Sequence, residues 1–237
     1  MQLFNHPQSR SYARTTGLFY LIIALAGGFS ILYVPSVLYV ADDPAATMNA
    51  IAANRGLFTL GVAGELIIVI AELFATVMLY FMFKPVNATL SLVAAFARLS
   101  MAIVMAVMLF FTAIALALAS DVAWLGVFSA EQRFALSYLA LDAHDFGVVI
   151  WQVFFTVHLF ILGNLVIRSG QFPKLLGALM AVGAFGYLLD SAGQFVFIGD
   201  AVFGMVTGIF LAIVTFGEVG FALWLLIKGP KTESVTA

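Results

Sequence analysis

Five carboxylic acids lie well inside long apolar stretches of this 237-residue chain, more than five residues from either end: Glu65, Glu72, Asp145, Asp190 and Glu218. Arg98 is the one permanent cation at such depth in those stretches, and His144 and His158 are the only imidazoles there. A charge in lipid is costly and by default marks a functional or pairing role. Five acids beside one cation cannot all stay ionised in a low-dielectric medium, so the set calls for protons, water, hydrogen bonds or an exogenous cation. Two chemistries satisfy it. One is a wet cavity that binds a cation, a proton or a small molecule. The other is a set of acids that join helices to one another.

Catalytic alternatives find less support. His144, Asp145, Asp190 and Glu65 are zinc-type donors, but no His-x-x-x-His pair fixes two ligands on one face. His144 and Asp145 are adjacent, which points them about 100° apart on a helix. His144 and His158, fourteen residues apart, share a face. That spacing would suit two stacked haems, yet the only other histidine is His6, in the polar lead. Gly-x-Ser-x-Gly is absent, and no histidine spacing implies contact with Ser191. No cofactor is called for. With no cysteine in the chain, disulfides and thiolate sites are excluded. A net charge of −2 with no basic cluster argues against nucleic acid.

The elements that carry these residues are membrane helices. The chain is 64% hydrophobic and 9% charged, against about 25% charge in a soluble domain. Apolar runs at about 17–40, 55–83, 88–119, 138–167, 174–198 and 201–227 each reach the roughly 20 residues of a bilayer span. The expected fold is therefore all-α, a polytopic membrane protein built as a six-transmembrane-helix bundle. Residues 1–16 form a polar N-terminal lead, 17–227 a single transmembrane domain, and 228–237 a polar C-terminal tail. Ala24-Leu25-Ala26-Gly27 looks like a signal-peptidase site, but the apolar run continues past it and reads as a full span. Pro35 should kink or end the first helix. Residues 41–54, with Asp42 and Asp43, read as a polar loop, and 120–137 as the longest connection. Pro173 suits a first helical position.

Arg10, Arg14, Lys84, Arg168, Lys174, Lys228 and Lys231 fall on one side of this arrangement, and Arg55 and Arg133 on the other. Such an asymmetry places both termini in the cytoplasm, as in a multi-pass protein of the inner membrane. Gly61-x-x-Gly64 and Gly183-x-x-Gly186 are faintly alike, but close helix packing is the simpler reading of the second pair.

Several motifs are familiar together: Arg14-x-x-Gly17-Leu18-x-Tyr20-Leu21, Tyr33-Val34-Pro35-Ser36, Phe83-Lys84-Pro85-Val86-Asn87 with Phe96-x-Arg98, and Arg168-Ser169-Gly170-x-Phe172-Pro173-x-Leu175-Leu176-Gly177. Over nearly the whole chain they resemble the bacterial domain-of-unknown-function family 4386. The resemblance implies a multi-span membrane protein and supplies no catalytic residues.

Two spatial expectations follow from helix rise. Counted from Lys84, Glu72 and Arg98 come within about one turn in depth on antiparallel neighbours, which predicts a structural ion pair. Glu218 and His158, in a second polar layer at about 15 Å depth, are substitute partners. Glu65, His144, Asp145, Asp190 and Gln194 share the outer half and are expected to line one polar cavity for a small molecule or cation, in a transporter-like protein. The alternative is a structural or accessory protein acting through a partner the sequence does not identify. The lipid bilayer is the one partner the composition demands.

Overall fold

The structure, a computed structural model, describes residues 6–40, 43–120 and 123–231, without the Trp124 side chain. Asp42, Asp121 and the end of the polar tail lie outside the described residues. Among the described residues, six helices are long and apolar enough to cross a membrane: α1 (Arg10–Leu38), α3 (Arg55–Phe83), α4 (Ala88–Leu118), α5 (Ala130–Ser169), α6 (Lys174–Gly193) and α7 (Ala201–Ile227). A shorter α2 (Pro44–Ala53) follows α1. No strand occurs among the described residues. Large apolar side chains stay exposed on these helices, Phe110 at 70% and Phe216 at 74%. Surfaces of that kind require lipid contact rather than water.

Several boundaries differ from the sequence reading. The first helix begins at Arg10, inside the stretch read as a polar lead. Tyr12 supplies the reason: it is 1% exposed, and its hydroxyl donates to the Met78 carbonyl. Pro35 does not end α1. A π-helical segment, Gly28–Tyr33, precedes it. The longer i→i+5 pattern gives the pyrrolidine ring room that an α-turn denies it. The loop expected at 41–54 is largely helix. Asp43 accepts from the Ala46 amide as N-cap, and Pro44 opens the helix. The connection expected at 120–137 is shorter, because α5 starts at Ala130. Ser129 and Gln132 form a reciprocal capping box, each side chain accepting from the other's amide. Pro173 is the residue before α6 rather than its first residue, and α6 ends at Gly193, five residues short of the expected span.

The chain packs as two compact units. Of the described residues, the first takes 6–22, 71–102 and 149–231. Its core includes Tyr12, Met78, Met82, Phe83, Leu159, Phe172 and Phe221. The turn between α5 and α6 needs Gly170 at φ 65°, a conformation that a Cβ disfavours. That turn buries Phe172 against Phe83 and Phe221, with ring centroids 5.7 and 5.4 Å apart.

The second unit takes residues 23–70 and 103–148. Its core joins Val34, Leu38, Phe58, Ala115 and Leu141 to Met48 and Ile51 of α2. One face of α2 thus points inward, which is why a short helix holds there at all. Arg55, the first residue of α3, donates to the Ser120 hydroxyl at 2.7 Å.

Candidate functional site

In the first unit, Arg98 sits at the centre of a buried polar cluster and is 1% exposed. The short turn 84–87 makes α3 and α4 antiparallel, and Asn87 caps α4 by accepting from the Leu90 amide. That hairpin brings Arg98 Nε to Glu72 Oε2 at 2.5 Å. Arg98 Nη1 also donates to the Tyr20 hydroxyl at 2.8 Å and to His158 Nε2 at 2.9 Å. His158 Nδ1 lies 2.8 Å from the Ala94 carbonyl. A carbonyl only accepts and a guanidinium only donates, so the imidazole is neutral and carries its proton on Nδ1. Glu218 stands beside Tyr187, within electrostatic reach of Arg98. This cluster is closed: the cavity beside it, lined by Thr76, Ser91 and His158, measures about 10 Å³. It ties helices together and leaves no room for a ligand.

Asp190 belongs to the same unit. Gln152 of α5 donates to its Oδ2 at 2.7 Å, and Ser191 donates to the Gln152 side-chain carbonyl at 2.6 Å. Gln194 lies just past the last residue of α6.

The second unit holds a different kind of site. A cavity of about 270 Å³ is lined by Ser30, Tyr39, Glu65, Thr112, His144 and Asp145, with Val34, Pro35 and Phe58 among its apolar walls. His144 stands between two carboxylates: Nε2 is 3.5 Å from Glu65 Oε2, and Nδ1 is 3.4 Å from Asp145 Oδ1. The Asp145 side chain is 65% exposed and that of Glu65 only 10%, so the three run from the open to the enclosed end. His144 Nε2 is buried with no nearer partner than that Glu65 oxygen, and Ser30 Oγ is buried without a hydrogen-bond partner. Ser30 comes from the π segment and packs on Gly64, where a Cβ would collide with its hydroxyl. Burial, with Asp145 and Glu65 adding to it, holds the Tyr39 phenol well above its usual range. Tyr39 is therefore a neutral donor at the cavity wall. Among the described residues, no three His, Asp or Glu side chains gather as metal ligands.

The cavity expected from the sequence thus gathers Glu65, His144 and Asp145 but not Asp190 or Gln194. Asp190 accepts from Gln152, and Asp190 and Gln194 both line an open groove within the first unit. Tyr39, Ser30 and Gln152 were not singled out as site residues. The i→i+5 segment that aims Ser30 inward has only Pro35 as its sequence signal.

A family model described as Domain of unknown function (DUF4386) matches residues 15–229. An uncharacterized protein of Archaeoglobus fulgidus is 33% identical over 177 residues, which are 74% of this chain and 88% of that relative. No solved structure matches. With nearly its whole length covered by that family model, this six-helix integral membrane protein belongs to the DUF4386 family.

Proposed function

We propose that the protein is a transporter-like membrane protein whose cavity at Glu65, His144 and Asp145 binds a small cation or exchanges a proton for one. The observation that carries this reading is one cavity that holds two carboxylates on either side of His144, with Ser30 Oγ buried on its wall without a hydrogen-bond partner. Buried polar groups ordinarily find partners, and carboxylate and hydroxyl oxygens are the ligands that small hard cations take. The volume is near the lower end of the roughly 300–1,000 Å³ typical of small-molecule sites. No Lys or Arg lines the cavity, which disfavours an anion.

Thermal melting of the purified protein with sodium, potassium and methylammonium tests the idea. At least one should raise the midpoint by several degrees, because a ligand that binds only the folded state stabilises it. Glu65→Gln should abolish that rise while leaving the ligand-free midpoint close to wild type. Equal rises in both proteins, or none in either, would refute the cavity as a cation site.

We further propose an inner-membrane location with both ends of the chain in the cytoplasm, from the distribution of Lys and Arg. Reporters fused at the C-terminus and within residues 123–129 should report opposite sides. A cytoplasmic signal from the second would reverse the orientation.

An accessory role through a partner is the second reading. It draws on the first unit, where Arg98 and Glu72 are used up in joining helices.

A further inference from the structure

The carboxyl-terminal part of the first unit contains an open groove of about 720 Å³ between α6 and α7. Gly204 and Gly208, one turn apart on α7, form part of its wall, and a Cβ on either would meet nothing within 4 Å. The groove exists because side chains are left out.

Thr207, between those glycines, is the unusual residue. Thr16, Thr76, Thr112, Thr156 and Thr215 each donate to the carbonyl four residues earlier, the ordinary way to satisfy a hydroxyl inside a membrane helix. Thr207 lines the groove, is 5% exposed, and its hydroxyl has no partner. Its hydroxyl is a polar atom of the groove lining that the chain itself leaves without a partner.

The charge of the groove selects the occupant. Asp190 and Asp200 line it, and no Lys, Arg or His does. Asp200 already caps the first turn of α7 by accepting from the Phe203 amide, so that helix end needs no anion. Phe197 and Phe203 lie stacked at the groove with centroids 4.3 Å apart. Carboxylates together with aromatic faces favour ammonium groups, and apolar walls favour a hydrocarbon part. We propose that this groove binds an amphiphilic ammonium cation, with its head at Asp190 and Thr207 and its apolar part along the bare wall of α7. The head belongs either to an amine-bearing phospholipid or to a free lipophilic amine.

Binding of benzyltrimethylammonium to the full chain in lipid nanodiscs tests the proposal. The wild type should bind it in preference to benzenesulfonate. Asp190→Asn should weaken binding about tenfold, as loss of a charged partner does. Gly208→Leu, which places a side chain in open space, should fill the groove and remove binding without lowering the melting midpoint. Thr207→Val should melt higher, since it deletes an unpartnered hydroxyl, and yet bind more weakly; a threonine with only a structural role would not lose affinity. Glu65→Gln should bind as wild type, which separates this groove from the cavity of the second unit. In discs with a constant share of phosphatidylglycerol, exchanging phosphatidylethanolamine for an uncharged glucosyl lipid distinguishes the sources. Tighter probe binding after the exchange assigns the lipid headgroup, and equal binding assigns a free amine. Unchanged affinity in Asp190→Asn, Thr207→Val and Gly208→Leu, or equal binding of benzenesulfonate, overturns the proposal.

Discussion

Arg98→Ala is expected to lower the stability of the folded protein by about 3–5 kcal/mol, the range found when one partner of a buried ion pair is removed. Three acceptors would lose their donor at once: Glu72 Oε2, the Tyr20 hydroxyl and His158 Nε2. Glu72 is 3% exposed, and water cannot replace the guanidinium there. Arg98→Lys should recover little, because a single ammonium cannot reproduce the planar fork that meets Glu72 on one edge and Tyr20 and His158 on the other. The double replacement Arg98→Met with Glu72→Gln should be less harmful than Arg98→Ala alone, since it leaves no ionised acid in the core. Unfolding in mixed micelles at increasing fractions of denaturing detergent gives the comparison. A double variant as unstable as the sum of its single changes would show that the two residues act independently.

That pair was legible in the sequence because it depends on one short turn. Residues 84–87 leave α3 and α4 no choice but to run antiparallel, and counting helical rise from Lys84 then fixes relative depth. The spans were legible for a similar reason, as apolar length alone sets them. The cavity of the second unit was only partly readable. Depth places Glu65 and His144 at similar levels, but depth says nothing about azimuth around a bundle. The facing of Asp190 is decided by Gln152 and Ser191, on another helix and on its own, and no spacing rule links residues 38 positions apart.

Short-range signals were legible in principle and outweighed in practice. Asp43-Pro44 is a cap followed by a favoured first helical residue, yet the surrounding polarity suggested a loop. Ser129-Ala130-Glu131-Gln132 has the form of a capping box, and it starts a helix eight residues before hydrophobicity alone would. The break in α1 is subtler. Proline predicts a disturbance, but whether it becomes a kink, a stop or a π segment depends on what packs around it. Here Gly64 opposes Ser30 with no side chain of its own, and the wider turn fits.

The other large effect concerns the glycines where α6 crosses its neighbours. Gly183 and Gly186 of α6 face the backbone of α7: a Cβ on Gly183 would collide with the Val214 backbone, and one on Gly186 would lie 2.7 Å from the Leu211 nitrogen. Gly217 of α7 completes the seam, 2.8 Å from the Met180 nitrogen on the same measure. Backbone cannot swing aside as a side chain can, so the helices themselves must separate. In a bilayer such separation is not resisted by the hydrophobic effect, because lipid is as apolar as the helix surface, and close van der Waals contact is what holds the pair. Overpacking a core costs about 1–3 kcal/mol and sometimes more. Gly183→Leu is expected at or above the top of that range, as the collision is with backbone. Gly204→Leu, on the same pair of helices but facing open space, should cost under about 0.5 kcal/mol. The two variants change the same residue type to the same residue type, so helix propensity nearly cancels between them. Detergent-denaturation curves that placed both variants within experimental error of each other would show that close approach at Gly183 is not what holds α6 to α7.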